Sequence, residues 1–258
     1  MNTAGRLLDI YDKLVSNSRT NEPMIKVWTE IFNIPTDTRH LEDDVVMCLY
    51  AVRSEMELLR TKLAAMGAPE DLMNPGMARF RNVASTAYIN QSWGALHSDI
   101  SRPENRLSFS WADWVLREEN EEVLPDEELA ALRGELDILE KSFLEVDMAP
   151  YLRDFVQRQV DAIRAALRVY RVQGVKPIEK ALQQVAGAYT IEKSNIEAEH
   201  AKASESARSV FANMGAFIEK TAKVADQLDK IRKVSEGAYT LAARVAPVLL
   251  TYGQSLIE

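Results

Sequence analysis

The side chains that could do chemistry in this chain are few. There is one cysteine, Cys48, and there are three histidines, His40, His97 and His200. The run Glu197-Ala-Glu-His200 carries a Glu-x-x-His spacing, which on a helix puts a carboxylate and an imidazole on one face. Helical di-metal centres use two such motifs and two further carboxylates. The only candidate for the second is Asp37-Thr-Arg-His40, at a helix start and with Asp in place of Glu. His97 and Asp99 could bind a metal or act as acid and base, but two residues make no constellation. Cys48 lies among Val45, Leu49 and Val52 and reads as a small buried hydrophobe rather than a nucleophile.

Longer motifs are lacking as well. No GxxxxGK[ST] or GxGxxG phosphate loop and no GxSxG elbow occurs. The acidic residues lack the alternating D-x-D-x-D-G spacing of a calcium loop. The expectation is a non-enzymatic chain with no cofactor and no metal.

The elements that must position any site are helices. From Leu182 an apolar residue recurs every seven positions: Leu182, Tyr189, Ile196, Ala203, Val210, Phe217, Val224, Ile231, Ala238, Val245 and Tyr252. A softer series follows four residues after each, including Ala186, Lys193, His200, Met214, Thr221 and Leu228. Spacings of 4 and 3 keep both series on one stripe, as in coiled coils and bundles. After Val210 the flanking positions Phe211, Ile218 and Val234 are also apolar, which suits a bundle helix with two neighbours. The polar stretch 193–209 is either a solvent-facing part of one helix or a turn between two antiparallel ones. The expected fold is all-α, a helical bundle with long C-terminal heptad-patterned, coiled-coil-like helices.

Upstream, apolar spacing predicts a helix over 3–16, a second with Pro23 in its first turn, Met24, Val27, Trp28, Ile31 and Phe32 inward and Pro35 as its stop, and a third over about 37–66 closed by Gly67-Ala-Pro69. A helix from Pro75 to Asn90 follows. Residues 91–108, with Gly94 and Pro103, read as an exposed loop. Ser110 can cap a short helix in which Trp111 and Trp114 share a face, either as core or as an aromatic anchor for a partner. Pro125 opens an acidic helix with Leu129, Leu132, Leu136, Leu139 and Phe143 inward. The boundary is drawn at Ala149-Pro150, dividing an acidic N-terminal helical domain (1–147) from a long-helix region (150–258).

Charge follows the same division. Residues 1–147 carry 15 basic and 27 acidic side chains, and residues 148–258 carry 16 and 12. Twelve of the acids fall in 118–147, among them Glu127 and Glu128. On the helix 151–173, Arg153, Arg164, Arg168 and Arg171 form a stripe beside the apolar face. The acidic helix is its natural partner; an anion site or an acidic docking partner is the alternative. The chain's net charge of −8 argues against DNA backbone binding.

One cysteine excludes an intramolecular disulfide and fits a reducing, cytoplasmic setting. No basic n-region with an apolar core opens the chain. No run of about 18 uncharged apolar residues occurs, and the most apolar stretch, 238–252, is too short to span a membrane alone.

The function expected is therefore an interaction or assembly subunit acting through long amphipathic helices, with itself or another protein as partner. The interaction residues expected are Phe217, Val224, Leu228, Ile231, the four arginines, Trp111, Trp114, Glu127 and Glu128. Two alternatives stand beside it: an intracellular inhibitor or immunity/defence-type protein using the acidic helix 118–147 on a basic partner, and a membrane-active helical protein.

Overall fold

A computed structural model describes residues 1–36 and 40–228. Ten α-helices and no strand lie among the described residues, so the protein is all-α. Asp37, Ile231 and the apolar stretch 238–252 fall outside them. The chain forms two compact units, Met1–Glu121 with Arg171–Gly174, and Glu122–Tyr170 with the residues from Val175 onward. The acidic helix falls in the second of these units. The acidic helix has one apolar face, Leu129 to Phe143, and that face is buried in the core of the second unit.

In the first unit, α1 (Thr3–Ser16), α2 (Met24–Phe32), α3 (Leu41–Ala65), α4 (Glu70–Val83), α5 (Gly94–Ile100) and α6 (Pro103–Val115) pack around aromatic contacts. Tyr11, Phe80 and Phe109 meet with ring centroids 5.5–5.9 Å apart. α1 is capped by Asn2, whose side-chain oxygen accepts from the Gly5 amide at 2.9 Å. α3 ends as its sequence predicts. Gly67 has φ +75°, Ala68 N–H donates to the Leu63 carbonyl and Gly67 N–H to Ala64, both at 3.0 Å. Cys48 is buried in α3.

Two expectations need correction. α4 begins at Glu70 and runs through Pro75, at the loss of the hydrogen bond its nitrogen cannot donate. Residues 91–108 are not a loop but hold α5 and most of α6. Their breakers are helix starts: Gly94 and Pro103 each occupy a first helical position, where an N–H partner is not required. Backbone bonds tie this segment to the polar loop after α1, with Gly94 N–H donating to Thr20 at 2.7 Å and Trp93 N–H to Glu22 at 2.9 Å.

A buried cation holds the first unit together. Arg6 of α1 is 5% exposed. It bonds Glu55 of α3 at 2.6 Å, Glu121 at 3.1 Å, and the carbonyls of Met1 and Val172 at 3.2 Å each. Gly174, at φ +69°, lies so near this cluster that a Cβ would come within 2.5 Å of the Glu121 carboxylate.

The second unit is a four-helix bundle of α7 (Asp126–Leu144), α8 (Pro150–Gln173), α9 (Lys176–Ala201) and α10 (Glu205–Leu228). Neighbours run antiparallel. The Arg133 side chain near the start of α7 donates to the Leu167 carbonyl late in α8 (2.9 Å), and Arg158 early in α8 bonds Glu192 late in α9 (2.9 Å). His200 near the end of α9 meets Phe211 near the start of α10, with centroids 5.5 Å apart. Lys220 of α10 pairs with Glu135 of α7, which closes the ring of helices. This is the up-down-up-down arrangement that short loops favour.

Of the two possibilities for 193–209, the turn is the one formed. α9 ends at Ala201 and α10 starts at Glu205, with Ser204 Oγ accepting from Ala207 N–H at 3.2 Å. Leu182, Tyr189, Ile196, Val210 and Phe217 of the first heptad series are all buried in the bundle core. Lys193, at a seam position of the second series, is exposed.

Candidate functional site

The residues that sequence reasoning singled out for chemistry do not converge. His40 lies on the surface, 3.6 Å from Asp43. His97 Nε2 is 3.3 Å from the Val15 carbonyl and its ring meets Trp93 edge-on. Asp99 faces Arg79 and Arg102 instead, at 3.4 Å each. Glu197 pairs with Lys193 at 3.8 Å. Among the described residues, no group of three or more His, Cys, Asp and Glu side chains could hold a metal.

His200 is buried, 5% exposed, against Phe211. Burial first, and then the Arg208 charge, lower its pKa below the ordinary 6.5. The unfolded chain therefore takes up this proton at higher pH than the folded one. The stabilisation from the neutral ring is full above pH 6.5 and is lost as pH falls from there toward the lower folded pKa. Urea midpoints of the second unit should fall between pH 7 and pH 5, and His200→Leu should flatten that slope. An unchanged slope in the variant would exclude His200 as its source.

Two arginines of the α8 stripe, Arg153 and Arg164, are engaged with α7. Arg153 donates to the carbonyls of Val146 (2.7 Å) and Phe143 (3.4 Å), satisfying the open end of α7. Arg164 bridges Asp137 and Glu140, each at 2.6 Å. Arg168 and Arg171 are half-buried. Phe217 and Leu228 are buried, and Val224 packs on the same core. Glu127 and Glu128 are exposed in the first turn of α7, where acids suit the helix dipole.

An exposed apolar face lies on α6. Its inner side buries Asn105, Ser108, Phe109 and Ala112, spaced i, i+3, i+4 and i+7. Its outer side carries Leu107, Trp111 and Trp114, spaced i, i+4 and i+7. Leu107 is 66% and Trp114 63% exposed, while Trp111 is half-buried.

The helix is held rigidly. The Asn105 amide donates to the carbonyls of Asp99 (2.9 Å) and Ile100 (3.0 Å), and its oxygen accepts from Arg79 (2.8 Å). Gly76 of α4 sits so close that a Cβ would be 2.6 Å from the Asn105 carbonyl. On the α1 side, Arg106 grips Asp12 with two bonds of 2.8 Å. Tyr11 donates its hydroxyl to the Ile100 carbonyl at 2.6 Å. Its pKa is pushed up to about 12, by burial first and then by the Asp12 charge.

Between α1 and α6 runs an open groove of about 660 Å³. Leu8, Asp9 and Asp12 line it from α1, and Ser110, Asp113 and Trp114 from α6, with Arg117 at one end. Arg117 lies over the Trp114 ring, 4.6 Å from its centroid, and donates to the Trp114 carbonyl at 3.0 Å. Sequence reasoning found Trp111 and Trp114 but missed Leu107 and the aspartates. Reading 91–108 as a loop broke the register that joins Leu107 to the tryptophans. Pro103 as a helix start, followed by 107, 111 and 114 opposite 105, 109 and 112, was the signal available.

Fold and surface together define a two-unit all-helical protein, one unit a four-helix bundle and the other a globule with an uncovered aromatic–aliphatic helix face. Compared with protein-family models, curated proteins and solved structures, the chain matches none. Among the described residues no helix is long and apolar enough to cross a membrane.

Proposed function

We propose that this chain is a non-enzymatic interaction protein that docks another polypeptide on the outer face of α6 and the adjoining groove. One observation carries the reading. Two large apolar side chains, Leu107 and Trp114, stand about two-thirds exposed on a helix whose opposite face is fixed by buried bonds. Tryptophan is among the residue types that dominate binding energy at protein interfaces, and exposed apolar patches mark contact sites.

This moves the expected interaction surface away from the heptad seam. Phe217 and Leu228 are buried in the core of the bundle and Val224 is partly buried against it, which supports looking to α6 for the docking face. Part of the charge of the acidic helix is matched by cations of neighbouring helices, since Glu135 pairs with Lys220 and Asp137 and Glu140 pair with Arg164.

Quantitative cross-linking in extracts of the source cells, comparing the wild type with a Leu107→Ser/Trp114→Ser variant of unchanged helix content, tests the reading. Cross-links to other proteins near α1 and α6 should disappear in the variant. The same set of cross-links in both would rule out this face.

A further inference from the structure

The groove beside Trp114 has a chemistry of its own, and it says what kind of segment fits. We infer that the α1–α6 groove takes a basic polypeptide segment, with an arginine or lysine paired to Asp113 and an aliphatic side chain set against Leu8 and Trp114. The inference rests on the docking reading above and adds the class of partner.

The argument is one of charge and shape. Three carboxylates, those of Asp9, Asp12 and Asp113, line the groove, against the guanidinium of Arg117 and the Met1 amine. Two of the three are already paired at the rim, Asp9 with Lys13 at 2.6 Å and Asp12 with Arg106 at 2.8 Å. The Asp113 carboxylate, half-buried, makes no hydrogen bond or ion pair among the described residues. The Met1 amine feels its field but is hydrogen-bonded to the Glu121 carbonyl. Asp113 lies down on α1 because position 5 is glycine; a Cβ there would come within 2.7 Å of its Oδ1.

The carboxylate and the Trp114 indole thus line the same groove. A carboxylate next to an aromatic face is the pair that receives a cation carried on an apolar stem. The chain demonstrates the aromatic half of that geometry itself, with the Arg117 guanidinium 4.6 Å above the Trp114 ring. From Leu107 to Trp114 the stripe extends about 10 Å, at about 1.5 Å per helical residue, enough for a few residues of an extended segment.

The test uses the full chain and three synthetic peptides of one length: alternating leucine and arginine, the same with citrulline for arginine, and the same with glutamate for arginine. Binding is read by calorimetry. The arginine peptide should bind, the other two should not, and the affinity should fall as salt is raised. Asp113→Asn and Trp114→Ala should each weaken binding about tenfold. Glu127→Gln/Glu128→Gln, which removes equal or greater charge on α7, should leave it unchanged. Circular dichroism of each variant checks that it is folded.

If the citrulline peptide binds as tightly as the arginine peptide and still depends on Trp114, the docking face stands and the cationic class is overturned. If binding is lost in the Glu127/Glu128 variant and kept in Asp113→Asn and Trp114→Ala, both the groove and the docking reading fall. If no peptide binds, the basic-segment inference is overturned, while the cross-linking result above still decides the docking reading.

Discussion

Replacing Arg6 by methionine should destabilise the first unit by about 3–5 kcal/mol, the range measured when one partner of a buried ion pair is removed. Arg6 and Glu55 have side chains 6% and 3% exposed and meet at 2.6 Å. Without the guanidinium, the Glu55 carboxylate is left buried without its cation, and neither water nor a second cation reaches it at low cost. Glu121, with 15% of its side chain exposed, can turn toward solvent more easily. The single Glu55→Met change should also destabilise, because it strands Arg6 in part. Arg6→Met/Glu55→Met should recover about half of the loss, since an apolar pair of similar volume is often as stable as a buried ion pair. All four tryptophans, Trp28, Trp93, Trp111 and Trp114, lie in this unit. Tryptophan fluorescence in urea therefore reports on it alone. A single-variant shift below about 1 kcal/mol, or a double variant worse than the sum of the singles, would remove Arg6 from this central role.

Phe217→Ala should cost the second unit about 3–5 kcal/mol, the usual loss for truncating a buried aromatic ring. Phe217 is 6% exposed in a core shared by all four helices. The transition is visible by circular dichroism and silent in tryptophan fluorescence. The informative part is its dependence on protein concentration. A seam closed within one chain gives the same midpoint at every dilution, in wild type and variant alike. A seam closed between chains gives a midpoint that rises with concentration, because association contributes by mass action. The second pattern would mean that the bundle is completed by another copy.

Much of the architecture was legible because it depends on local signals. The 3.6-residue spacing of apolar side chains marked α1, α2, α3, α7 and α8 with little error, and marked α9 and α10 only as one continuous apolar stripe. The Gly67 cap of α3 and the first-turn acids of α7 were read from residue type alone, since each meets a fixed need of a helix end. Where the reading failed, one residue type had two uses. Gly94 and Pro103 serve equally as loop residues and as first helical residues, and only the following apolar spacing separates the two. Pro75 reads as a helix start but sits inside α4, where neighbours hold the helix despite one missing bond.

Sequence by itself determined that this chain is all-helical and which face of each long helix is apolar. Tertiary structure decided what covers each face. The described heptad positions of α9 and α10 come together across the turn at 202–204, and the periodic pattern alone does not separate that from one long helix. A turn of three residues holds the two helices at an effective concentration that a second molecule must compete with. Burial of Arg6 and exposure of Trp114 were equally out of reach. In sequence each is one residue on an amphipathic helix, and its surroundings come from segments up to 166 residues away, as the Arg6–Val172 bond shows. Periodicity records the preference of a face for water or for protein, and only the packed fold supplies the partner.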